Sequence, residues 1–112
     1  MSGPWKIEVV DTIGECGWFT SLCIDSDGRP HVAYYFITHG DLRYATKKGG
    51  GWHAETVDER GLVGHYTYLA LSKSGDPRIS YYDWTRSLLK FAHYSNSKWT
   101  LEIIDQIGRA HV

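Results

Sequence analysis

A chain of 112 residues with a formal net charge of −1 has the length of a single domain. With 42% hydrophobic and 22% charged residues it can build a core, and an ordered fold is expected. It has no basic run to grip nucleic acid or an anionic membrane surface, and no apolar stretch near the roughly 20 residues that span a bilayer.

Five Trp and eight Tyr favour β-structure. In chain order, the first alternating segment is "WKIEVVD" (5–11). "WFTSLCID" (18–25) follows and runs into "SDG", where Gly28 can supply the positive φ of a hairpin turn. "HVAYYFI" (31–37) stops at His39-Gly40, "DLRYATK" (41–47) stops at "KGGG", and "WHAETVD" (52–58) leads to a connector holding Gly61 and Gly64. The series then recurs as "HYTYLALS" (65–72), "RISYYDW" (78–84), "LLKFAHY" (88–94) and "WTLEIID" (99–105). No window holds a helical period, and a strand every 8–12 residues predicts an all-β fold.

The recurrence has a fixed offset of 47 residues and needs no gaps. Trp5 falls on Trp52 and Trp99, Glu8 on Glu55 and Glu102, and Asp11 on Asp58 and Asp105. Gly28-x-Pro30 falls on Gly75-x-Pro77, and Tyr34-Tyr35 on Tyr81-Tyr82. Repeats therefore run over 5–51 and 52–98, with a partial third over 99–112, all within one domain, 1–112. A period in this range, carrying four short strands, predicts a β-propeller blade. Alternation sends the paired tyrosines to opposite faces of a mid-sheet strand, so both can be buried.

The run "TSLCIDSDGRPHVAYY…DLRYA…W..E.VD" resembles the β-propeller repeat found in tandem in many bacterial and archaeal proteins, most of them uncharacterised. The resemblance extends from Trp5 to Gly108 and implies blade architecture; it carries no catalytic motif. The second copy departs from it where Asp25 and His31 become Ser72 and Arg78.

Rings usually need about four to eight blades. Two four-stranded antiparallel blades per chain leave two apolar faces bare, so a ring-forming homo-oligomer is expected, with a homotrimer of six blades favoured. The outer-strand phrase occurs three times where two blades need it twice. One terminal copy, 5–11 or 99–105, is thus surplus and available for exchange with a neighbour.

Positions shared by both repeats are expected to serve the scaffold. Glu8, Glu55 and Glu102 are expected to pair across strands with Arg43 and Lys90, and Asp11, Asp58 and Asp105 to bond turn amides. Cys16 and Cys23 give way to Val63 and Ala70 in the second copy, which marks them as packed thiols rather than a disulfide.

Polar and aromatic residues that differ between repeats are the better site candidates. The connector into the first strand and the loop after the second emerge at one end of a blade. That end gathers Trp18, His39, His65, Tyr66, Asp83, Trp84 and Arg86, with Trp84, Asp83 and Arg86 the leading cluster. Aromatic faces beside planar hydrogen-bonding groups suit a sugar ring.

The six histidines lack metal-ligand spacing, "DSDG" at 25–28 reads as a turn, and no nucleotide or nucleophile motif occurs, so neither metal nor cofactor is expected. The expected function is a non-enzymatic, lectin-like carbohydrate-binding module. The alternatives are a glycoside-acting enzyme, which needs two carboxylates about 5–10 Å apart, and an assembly part of a larger propeller. "MSGPWKIEVVD" lacks the charged-then-apolar order of a secretion signal, so a cytoplasmic location is expected unless the chain belongs to a longer secreted protein.

Overall fold

The structure is a computed structural model that describes residues 4–105. It contains eight strands: β1 (Cys16–Ile24), β2 (Pro30–Phe36), β3 (Asp41–Lys48), β4 (Gly51–Asp58), β5 (Val63–Leu71), β6 (Pro77–Asp83), β7 (Leu88–Ser95) and β8 (Lys98–Asp105). They form two four-stranded antiparallel sheets, β1-β2-β3-β4 and β5-β6-β7-β8. Each sheet is an up-and-down meander, compatible with a propeller blade. The sheets span 16–58 and 63–105, so the structural unit begins later in the 47-residue repeat than the cut at Trp5.

Turn chemistry explains the short connections. Asp25 Oδ1 accepts the amides of Asp27 and Arg29, each at 2.9 Å, and Gly28 takes φ +80° to close the β1–β2 hairpin. Ser72 does the equivalent work in the second sheet, where its hydroxyl accepts the Asp76 amide at 3.1 Å. The β3–β4 and β7–β8 turns place two successive residues in the left-handed region, Gly49-Gly50 and Asn96-Ser97, as the twist of a tight hairpin requires.

The segment 5–11, expected as an outer strand, is not one. The edge of β3 that it would pair with is taken by β4. It is held through side chains instead: Glu8 accepts from Lys47 Nζ at 2.7 Å and Trp52 Nε1 at 3.0 Å. The surplus phrase is therefore the N-terminal one, while residues 99–105 complete the second sheet within β8.

The core lies between the sheets, where β1, β2 and β3 pack on β5. The first sheet supplies Ala33, Leu42, Tyr44 and Val57, and the second Val63, Leu69, Ile79 and Tyr81. Burial of these side chains is the main force joining the sheets. Contact is close at Gly64, where a Cβ would lie 3.1 Å from Leu42 Cα, so glycine there serves both the approach and a φ of +110°.

Candidate functional site

The first strand of each sheet carries a bulge near its start with a left-handed aromatic residue, Phe19 (φ +52°) in β1 and Tyr66 (φ +53°) in β5. Such backbone is costly for a bulky side chain, by about 1–3 kcal/mol. Its occurrence at matching positions marks it as a built feature that re-aims the aromatic rings. They meet across the junction, with Phe19 and Tyr66 5.1 Å apart between ring centroids.

His65 sits in the middle of this cluster, 4.5 Å from Tyr35, 5.2 Å from Phe19, and stacked on Trp84 at 5.5 Å. Burial lowers the pKa of His65 and favours the neutral imidazole, and its Nδ1 is buried without a hydrogen-bond partner among the described residues. Tyr82 connects Tyr66 to Trp84, at 6.3 and 5.8 Å, and Trp18 meets the edge of Phe19 at 6.1 Å. The result is one aromatic strip across both sheets. Three of its members face solvent: Trp18 (54% exposed), Tyr66 (66%) and Trp84 (55%). A hollow of about 380 Å³ is lined by Tyr66, Tyr81, Tyr82, Trp84 and Leu89.

Of the residues singled out in the sequence, Trp18, His65, Tyr66 and Trp84 thus come together. Asp83 and Arg86 have other partners. Asp83 is fully buried and lies 3.1 Å from Arg86 Nη1 and 3.5 Å from Lys90 Nζ. Arg86 also donates to the Arg60 carbonyl, so this pair clamps the connector that leads into β5. His39 is exposed, packs against Phe36 at 5.2 Å and lies 4.0 Å from Asp41, apart from those four. Phe19, Tyr35 and Tyr82, which join the strip, are not among the sequence candidates: Tyr35 and Tyr82 are the same residue in both repeats and read as strand aromatics, and Phe19 lies within the strand segment 18–25.

The carboxylates have clear structural roles. Asp58 accepts hydrogen bonds from Lys90 Nζ and Tyr81 Oη, both at 2.8 Å, and from the Arg60 amide at 3.1 Å. Burial alone would raise its pKa, but these donors outweigh burial and hold the carboxyl below its ordinary value. Asp11 repeats the arrangement one period earlier with Tyr34 Oη at 2.5 Å, Arg43 Nε at 2.9 Å and the Ile13 amide at 3.2 Å. The turn-amide role expected for the aspartates is therefore present at Asp11 and Asp58, while the turn that follows Asp105 lies outside the described residues. The expected cross-strand pairing of the glutamates with Arg43 and Lys90 is not: both cations turn to aspartate, Glu8 pairs with Lys47, and Glu102 with His93 at 2.7 Å. The register explains this, since Arg43 faces Thr56 and Lys90 faces Ile103.

A second concave region, a cleft of about 440 Å³ at the far end of the junction, contains a hydrogen-bonded series. Asp25 Oδ2 lies 2.9 Å from His31 Nε2, and His31 Nδ1 lies 2.5 Å from Tyr44 Oη. The bond from His31 leads the causes that hold the Asp25 carboxyl down at about 2, and burial pushes the Tyr44 hydroxyl up to about 12. All three residues change together in the second repeat, to Ser72, Arg78 and Phe91. That joint replacement is the signal the sequence carries: Asp25, His31 and Tyr44 all differ between the repeats, at positions too far apart in the chain to read as one group.

Among the described residues, no group of three or more His, Cys, Asp or Glu side chains is arranged to hold a metal ion. Comparison of the chain with protein-family models and with curated proteins gives no match.

Proposed function

We propose that the chain is a non-enzymatic binding module made of β-propeller blades, that it closes into a ring with copies of itself, and that its aromatic strip takes a carbohydrate. The observation carrying this reading is the exposure of Trp18, Tyr66 and Trp84 along one contiguous aromatic strip beside a hollow of about 380 Å³. Exposed aromatic faces offer the apolar C–H side of a sugar a stacking partner, and the phenol of Tyr66 and the indole N–H groups supply hydrogen bonds at the rim. Several copies on one ring would raise avidity without any new contact.

The test is binding to a panel of immobilised glycans. A glycan that binds the native chain should lose about tenfold or more in affinity on Trp84→Ala, with the thermal melt unchanged. Undiminished binding by that variant, or no glycan bound at any concentration, would sink the reading.

One observation favours a second reading, a glycoside-acting enzyme. The Asp25–His31–Tyr44 series opens on a cleft that also holds Glu55 and Asp76. Turnover of aryl glycosides that disappears in Glu55→Gln would support it, and absence of turnover would remove it.

A further inference from the structure

The face of the second sheet that meets the first is built on Leu69, Ile79 and Tyr81, which are 2%, 0% and 1% exposed. Their counterparts one period earlier are Leu22, Val32 and Tyr34, on the outer face of the first sheet. There Leu22 is 61% exposed beside an apolar groove of about 230 Å³ lined by Cys16, Gly17, Thr20, Val32 and Tyr34, among others. Gly17 has the left-handed backbone of Gly64, with φ +102°, yet among the described residues nothing lies within 4 Å of the place its Cβ would take. At Gly64 that space is filled by Leu42 and Tyr35 of the first sheet. The counterparts of those two residues, Leu89 and Tyr82, line the hollow on the opposite outer face of the chain. The two outer faces are thus the two halves of the contact already made once inside the molecule.

The aspartates add a specific consequence. Asp58 ends β4 and bonds Tyr81 and Lys90 across the junction. Asp11 bonds Tyr34 and Arg43 in the same way, but from a segment that belongs to no sheet. Asp105 ends β8 where Asp58 ends β4. A neighbour docking its second sheet on this first sheet would bring its Asp105 to the point that Asp11 occupies, and one slot cannot hold both carboxylates.

We propose that copies of this chain join head to tail by repeating the internal sheet–sheet contact, and that Asp105 of one copy displaces Asp11 from Tyr34 and Arg43 of the next. The segment 5–11 is then an internal stand-in for a neighbour's outer strand, and it restrains assembly until exchanged. The same docking sets Trp18 of the neighbouring copy against Tyr66 and Tyr82, as His65 is set against Phe19 and Tyr35, so the aromatic hollow gains a wall from the partner. A contact of this kind is heterologous and closes into a ring when its rotation fits. This inference rests on the ring part of the proposed function.

The test is the concentration dependence of mass, by light scattering and sedimentation, on the full chain. Asp11→Asn weakens the stand-in and should tighten association by about tenfold or more, because a hydrogen bond to a charged group is at stake. Asp105→Asn should loosen it by a similar factor, and Leu22→Glu, a change at an exposed position, should give a folded monomer. If Asp11→Asn fails to fold, Glu8→Gln loosens the same segment through exposed contacts and should show the same sign. Effects of one sign from both aspartates, or none from either, overturn the exchange. Association that survives Leu22→Glu overturns this interface and leaves a ring formed through another surface. Native, Asp11→Asn and Glu8→Gln chains that all stay monomeric overturn the ring as well, while glycan binding, read separately through Trp84→Ala, stands or falls alone.

Discussion

Replacing Asp58 by Asn should cost about 3 kcal/mol of folding stability. The Asp58 and Lys90 side chains are 0% and 7% exposed and 2.8 Å apart, so neither charge has water to fall back on. Asparagine keeps the shape and an acceptor for Tyr81, but it removes the charge. Lys90 is then left with Asp83 at 3.5 Å, a carboxylate already shared with Arg86. Breaking a buried pair by neutralising one member costs about 3–5 kcal/mol, and the surviving contact to Asp83 puts the expected loss at the lower end. In a domain of this size that lowers Tm by about 12 °C and removes a large part of a total stability of about 5–15 kcal/mol. Urea unfolding followed by tryptophan fluorescence, at protein concentrations low enough to keep the chain monomeric, measures it directly. Asp11→Asn is the comparison: its carboxylate comes from a segment outside the sheets that can relax, and Arg43 keeps a bond to Thr56 at 2.6 Å. The Asp11 and Arg43 side chains are also buried, 5% and 10% exposed, so the cost should be smaller but not negligible, about 1–2 kcal/mol. A loss below about 1 kcal/mol for Asp58→Asn, or equal losses at the two sites, would refute the view that the Asp58 pair is a buried determinant of the sheet junction.

Two further outcomes follow from the same contacts. Leu69→Ala should cost about 3 kcal/mol by opening a cavity in the core, whereas Leu22→Ala, at the matching but exposed position, should stay within about 0.5 kcal/mol in the monomer; chemical denaturation of the pair checks this. In acid, hydrogen bonds hold the Asp25 and Asp58 carboxyls below the ordinary aspartate range, so their stabilisation is complete above that range and fades as pH falls through the folded values. Asp41, raised by burial and only partly offset by His39 at 4.0 Å, acts in the opposite direction. Tm should therefore be nearly level down to about pH 4 and drop toward about pH 2, where the Asp25 carboxyl protonates. A Tm unchanged across that window would count against both aspartate assignments.

The strands were legible because alternation, turn residues and an ungapped period of 47 all pointed to the same boundaries, and local chemistry sets such features. Pro30 and Pro77 opening β2 and β6, and the glycines closing the hairpins, leave little choice of register. Two things were less legible. The segment 5–11 has an outer-strand sequence, but a strand needs a free edge, and β4 already occupies the one it would use. The charged pairs followed a register that placed aspartate, not glutamate, beside Arg43 and Lys90.

For the candidate site the division is similar. Sequence brought Trp18, His65, Tyr66 and Trp84 to one end of the fold by topology alone, since strand order decides which loops share an end. It could not show that Asp83 is buried beneath that surface, nor that bulges at Phe19 and Tyr66 turn two repeated strand aromatics into the links of a continuous strip. By itself, then, the sequence determined the all-β class, the strands and the repeat, because these depend on the order of neighbouring residues. Which copies of a repeated residue are buried, paired or left open was decided only by the tertiary structure. Leu22 and Leu69 hold equivalent positions in the repeat, but only Leu69 has another sheet to cover it.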